Sequence, residues 1–157
     1  MRTSPLTTVA VVGASAFVRP SLTLRDHTVR FPGLSPADVI DRFRARLDLH
    51  PDVVAAGDDT IVARFEGKAG PMPYRTLEVV GLETDRVTFE HLRGPFIRCD
   101  EAFEVRAAGD GSDVTHVGSF TMRGGVVGWL LGRIWIRGLF ERHVAAELTK
   151  MSTDMTA

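Results

Sequence analysis

The sequence predicts an α+β domain in which a curved antiparallel β-sheet is covered by one long carboxy-terminal helix. Residues 53–122 form successive runs of alternating apolar and polar side chains, the period of strands. The connections between those runs are too short for parallel crossovers and imply an antiparallel meander. Residues 123–151 then lose the alternation, contain no proline and read as a helix of about 25 residues, roughly 37 Å long at 1.5 Å per residue. A sheet of this kind has one wet face and one face that must be covered. Only the terminal helix is long enough to cover it.

The elements follow in order. Residues 25–31 alternate, with His27, Val29 and Phe31 on one side, and Pro32-Gly33 ends this first strand. Ser35-Pro36-Ala37-Asp38 is a helix start: Ser35 is placed to cap, Pro36 sits in the first turn and Asp38 can reach back. Val39, Ile40, Phe43 and Leu47 make one buried stripe on a short helix that His50-Pro51 terminates. Residues 53–56 and 60–66 flank Gly57-Asp58-Asp59 as a hairpin, and residues 67–73, with two glycines and two prolines, read as a loop. Strands at 74–82, 86–92, 96–106 and 114–122 complete the sheet.

At 157 residues the chain is one domain with room for a core. Its 44% hydrophobic and 25% charged residues suit a globular protein, and its net charge of −1 gives no support for nucleic-acid binding. Cys99 is the only cysteine, which rules out an intrachain disulfide and a cysteine cluster. The expected organisation is an apolar arm at residues 1–22, a domain at 23–152 and a disordered tail at 153–157. Residues 6–18 carry no charge and lie between Arg2 and Arg19, with Ala14-Ser15-Ala16 inside them. A packed arm, a signal and a membrane anchor all fit that pattern, although the stretch falls short of the roughly 20 residues of a spanning helix.

The text from Arg86-Val87-Thr88-Phe89-Glu90 through Gly94-Pro95-Phe96 and Ala102-Phe103-Glu104-Val105 resembles the START-like (SRPBCC) superfamily. The likeness continues through residues 111–122 and 124–150 and covers residues 25–152 in element order. That superfamily comprises the helix-grip fold of polyketide cyclases, dehydrases and lipid-transfer proteins. The resemblance implies a cavity between sheet and helix that takes an apolar or amphipathic ligand. It does not imply catalysis, because fold and function separate freely.

Strand period assigns the faces. The apolar sets are Ile61, Ala63 and Phe65; Leu77 and Val79; Val87, Phe89 and His91; Ile97, Cys99, Glu101, Phe103 and Val105; and Val114, His116, Gly118, Phe120 and Met122. Three ionisable residues, His91, Glu101 and His116, stand on these faces and are the candidates for acid–base chemistry. The ligand-binding set expected from the strands is Phe65, Val79, Phe89, His91, Cys99, Glu101, Phe103, His116 and Phe120, joined by Leu131 and Trp135 from the helix. No metal or cofactor is expected: the five histidines lack paired ligand spacing, and His91, Glu101 and His116 would form a facial set only with their strands in register.

On the helix, Arg133, Arg137 and Glu141 form a polar stripe, and Gly124, Gly128 and Gly132 form a small-residue stripe nearly opposite. Only one of the two can line a cavity. Trp129 and Trp135 among arginines also suit a membrane interface. The leading functional expectation is binding or transport of a hydrophobic, lipid- or polyketide-like small molecule by a cytoplasmic protein. A cyclase, dehydrase or isomerase using Glu101 with His91 or His116 is the second reading. A membrane-associated interaction protein is the third, with association through residues 6–18.

Overall fold

The computed structural model describes residues 20–156, so the apolar stretch at residues 6–18 lies outside the described residues. After β1 (Leu22–Thr23) and β2 (His27–Pro32) comes helix α1 (Pro36–Asp48). Strands β3 (Val53–Ala56), β4 (Thr60–Ala69), β5 (Met72–Leu82), β6 (Arg86–Arg93), β7 (Phe96–Ala108) and β8 (Gly111–Met122) follow as a meander. The chain ends in α2 (Gly125–Leu131), a π-helical turn (Gly132–Ile136) and α3 (Arg137–Thr156). All strands join one antiparallel sheet in the order β1-β8-β7-β6-β5-β4-β3, with β2 also paired to β8.

The cap of α1 is as the sequence predicts. Ser35 Oγ accepts from the Asp38 amide and the Asp38 carboxylate accepts from the Ser35 amide, a reciprocal capping box. Val39, Ile40, Phe43 and Leu47 are all buried. They pack with Phe31, Val80, Val87, Val105 and Val114 of the sheet and with Leu148, Met151 and Met155 of α3. This core fills one end of the fold. At the other end Leu22, Leu24, Cys99 and Phe120 pack with Phe96, Met122, Trp129, Ile136 and Phe140. The space between the two clusters is where the site lies.

Three departures from the sequence reading have local causes. Residues 67–73 are not a loop. Gly67↔Tyr74, Lys68↔Pro73 and Ala69↔Met72 continue the β4–β5 ladder, and Gly70, at φ +60°, makes the turn that closes it. The terminal helix is interrupted by its π-helical turn, which widens the winding and shifts the helix faces that follow. Residues 153–156 are helical rather than disordered, because Met155 is buried in the core and holds the last turn down.

The glycine stripe seats the helix on the sheet. A Cβ at Gly132 would lie 2.7 Å from Leu22 Cδ1 and 2.7 Å from Met122 Cγ, and one at Gly128 would overlap the Arg123 carbonyl. Only glycine allows that approach. Neither stripe lines the cavity: Arg137 pairs with Glu141 at 2.8 Å, and the Arg133 guanidinium lies 5.4 Å from the Trp129 ring centroid.

Candidate functional site

Strand register brings four ionisable side chains into one row. Glu78 on β5 is directly opposite His91 on β6. Glu101 on β7 is opposite Phe89, which places it diagonally from His91 on the same face. His116 on β8 is opposite Phe103 and therefore diagonal to Glu101. Opposite Glu101 itself stands Gly118, where an added Cβ would lie 3.2 Å from Glu101 Cγ. The glycine leaves room for the carboxylate to turn toward both imidazoles.

Glu101 is the centre of the row. His91 Nε2 donates to its Oε1 at 2.9 Å and His116 Nε2 donates to its Oε2 at 2.8 Å. The Cys99 thiol approaches Oε1 at 3.7 Å. His91 Nε2 also lies 3.3 Å from Glu78 Oε1, which accepts from Thr76 Oγ1 at 2.5 Å. One imidazole nitrogen thus sits between two carboxylates. His91 Nδ1 is buried with no partner among the described residues.

Burial raises the Glu101 pKa, yet the hydrogen bonds from His116 and His91 outweigh it and hold the carboxyl at about 2. Glu78 goes the other way: burial raises it, the adjacent His91 and Thr76 only partly offset that, and Glu101 adds repulsion. Burial pulls His91 down, but Glu101 and Glu78 more than compensate and leave it raised. Cys99 is pushed up by burial and by the neighbouring carboxylates, so its thiol stays protonated. The two carboxyls in this row therefore differ in their readiness to hold a proton, which is the arrangement of an acid beside a fixed anion.

A cavity of about 220 Å³ lies against this row, between β4–β7 and the terminal helix. Phe65, Phe89, Phe96 and Phe103 form its sheet-side apolar wall, with Phe89 and Phe103 edge-to-face at 5.6 Å. Ile136, Leu139, Phe140 and Val144 form the helix side. Thr76, Glu78, His91 and Glu101 supply a polar patch, and Tyr74 with His143, 3.1 Å apart, supplies a second.

Of the residues expected from sequence, Phe65, Phe89, His91, Glu101 and Phe103 line this cavity. His116 lies behind it, hydrogen-bonded to Glu101 and packed against the Phe103 ring at 5.3 Å. Cys99 and Phe120 are buried in the second core cluster. Val79 is not in the lining, because the inward face of β5 carries Thr76, Glu78, Val80 and Leu82 instead. Leu77 and Val79 are the more apolar phase of β5 but not its buried one. Leu131 and Trp135 are exposed on the outer side of the helix, where the glycine stripe turns them away from the sheet. On β7 an irregularity between Phe96 and Arg98 puts Phe96 in the cavity wall and leaves Ile97 exposed.

Glu78, Thr76, Tyr74, Phe96 and His143 were not singled out from sequence. The alternation Tyr74-Thr76-Glu78-Val80-Leu82 carries the correct face of β5, but its polar first half conceals it. Among the described residues, the set able to hold a metal is His91, Cys99 and Glu101, whose donor atoms lie within 4.8 Å of one another. Hydrogen bonds from His91, His116 and Cys99 already engage both Glu101 oxygens.

No family model matches the chain, and no curated protein matches it in sequence. Solved structures do match in fold. The Zhui aromatase/cyclase from Streptomyces sp. R1128 superposes with a TM-score of 0.72 at 13% identity, covering 87% of this chain and 94% of that one. A START superfamily protein from Mycobacterium smegmatis gives 0.60 at 15% identity, covering 85% and 99%. A protein from Thermus thermophilus gives 0.68 at 18%, covering 87% and 97%. The chain has the START-like helix-grip fold that its sequence resembles.

Proposed function

We propose that the protein binds a small apolar or amphipathic molecule in the cavity between sheet and helix, orienting a polar group of that molecule toward Glu78 and His91. The observation that carries this reading is the cavity itself: about 220 Å³, walled by four phenylalanines of the sheet and an apolar helix face, with two small polar patches. Such a combination of apolar lining and few fixed polar groups is that of small-molecule sites. Polyketide-like and lipid-like ligands fit the reading, and the START-like and aromatase/cyclase neighbours support it.

The test fills the space. Leu139→Trp adds bulk to the cavity wall from a half-buried position on the helix. The wild-type protein is expected to bind an environment-sensitive apolar dye and to retain an organic ligand in native mass spectrometry. The variant should stay folded and lose both. Equal dye binding by the two proteins would place the ligand elsewhere.

A second reading is favoured by the contrast between Glu78 and Glu101. A carboxyl whose hold on its proton is strengthened by burial, beside an imidazole anchored by a second carboxylate held ionised, suits proton transfer in a cyclisation, dehydration or isomerisation. Here Glu78 would be the proton-carrying group. Glu101 and His116 would position His91. In the binding reading, Glu78→Gln lowers affinity modestly; in the enzyme reading it abolishes turnover while leaving affinity nearly intact.

A further inference from the structure

The first half of the terminal helix is turned inside out. Val126, Leu130 and Ile134 form one row at spacing four, and Val127, Leu131 and Trp135 form the row beside it. All six are exposed, Val126 at 79%, Val127 at 69% and Ile134 at 73%. The inward side is glycine, as the contacts of Gly128 and Gly132 with Arg123, Met122 and Leu22 require. A water-facing helix places its polar residues outward. This one has only apolar side chains in those two rows, and contiguous exposed apolar surface of that kind marks a contact site.

Charge selects the occupant. From Val114 to Phe140 the chain has no aspartate or glutamate, while Arg123, Arg133 and Arg137 fall within that span. Arg137 is neutralised by Glu141. Arg123 is exposed where the chain enters the stripe, and Arg133 is exposed within it, lying over Trp129. The whole chain carries −1, so this basic character is local. Long arginine stems can lie along apolar surface and lift their charges to a headgroup layer, and tryptophan favours the same layer. A second copy fits less well: a two-fold contact through this stripe sets one arginine pair against its own image, with no acidic residue in the stripe to pair with it.

We propose that this stripe docks the protein on an anionic lipid surface, with the helix lying in the plane of the interface. No helix of the described residues is long and apolar enough to cross a membrane, and the ten helix positions 126–135 that carry the stripe span only about 15 Å, so the contact is peripheral. Trp135 immediately precedes Ile136, which lines the cavity, so the docked face adjoins the cavity wall.

The experiment is flotation of the full chain with phosphatidylglycerol–phosphatidylcholine vesicles and with phosphatidylcholine vesicles alone, at low and high salt. Binding is expected to the anionic vesicles and to weaken with salt. Ile134→Glu, at an exposed site, should reduce it by about tenfold or more, and Arg133→Gln by about fivefold. Circular dichroism and dye binding in the cavity should be unchanged in both variants. Failure to float, or flotation that Ile134→Glu leaves intact, overturns the proposal. So does a dimer in sedimentation that Ile134→Glu dissociates, which would assign the stripe to a second copy. Protection of residues 6–18 from protease in the vesicle-free wild type but not in Ile134→Glu would assign it to the chain's own amino-terminal segment, with the same consequence.

Discussion

Glu78 Oε1 stands 3.3 Å from His91 Nε2 across the β5–β6 ladder, on the side of the imidazole nitrogen that also meets Glu101. The pair is unequal. Glu101 is compensated by two imidazoles, whereas Glu78 has a share of one imidazole and a threonine hydroxyl. A site that leaves one buried carboxyl under-compensated gives up stability for a group that can take or release a proton.

That cost is measurable. Because the folded pKa of Glu78 is raised, the unfolded chain gives up this proton first as pH rises through about 4.5, and the folded state loses stability from there upward. Glu78→Gln keeps an acceptor for Thr76 and removes the charge. It should raise the melting temperature at pH 7, and the gain should fade as pH falls below about 4.5. Thermal melts across pH 3–8 check both features, and a variant less stable than wild type at pH 7 would contradict the assignment.

Glu101 has the opposite sign. Its folded pKa is depressed from the ordinary 4.5 to about 2, so its contribution is complete above 4.5 and is lost as pH falls from there toward 2. Glu101→Gln leaves His91 and His116 facing an amide that can accept from only one of them. The expected loss is about 3 kcal/mol at pH 7, the range for removing one partner of a buried ion pair. Urea unfolding at pH 7 and pH 3 should show the gap between wild type and variant narrowing with acid. A gap that stays constant would mean that Glu101 acts by packing alone.

Gly118 is predicted to be intolerant for a reason specific to the site. An alanine there would place its Cβ 3.0 Å from the Asp100 carbonyl oxygen, 3.2 Å from Glu101 Cγ and 3.2 Å from Leu24 Cδ1. The backbone oxygen cannot yield, so the Glu101 side chain must. We expect a loss of about 1–3 kcal/mol, accompanied by altered imidazole resonances of His91 and His116 in NMR. Destabilisation with unchanged histidine resonances would show that Leu24 absorbs the clash.

The architecture was legible in the sequence because period is a local property. Six strands after α1, the capping box and the covering helix all follow from spacing within single segments. The site was legible in part: His91, Glu101 and His116 stood out as polar residues on apolar faces. Glu78 did not, since Leu77 and Val79 are the more apolar phase of β5 and nothing within that strand reveals that its inner face borders a polar patch. Phe96 and Ile97 exchanged places through one β7 irregularity, a feature of pairing that alternation cannot report. Leu131 and Trp135 point outward because Gly128 and Gly132 claim the inner side of their helix. In each case the deciding contact is with another element of the fold.

Cys99 offers a probe of the row that needs no ligand. It is fully buried beside Glu101, and burial together with the Glu101, Glu78 and Asp100 carboxylates suppresses its thiolate. Alkylation proceeds through the thiolate, so the native protein should resist iodoacetamide at pH 8 and react only through opening. Glu101→Gln removes the nearest charge but leaves the burial. If the thiol is protected chiefly by burial, the variant should react at a rate set by its lower stability, tracking urea-derived opening free energies. If the rate rises beyond what that lost stability supplies, the carboxylate was the main shield. Rapid labelling of the folded wild type would contradict the buried placement of Cys99 and, with it, the hydrogen-bonded row around Glu101.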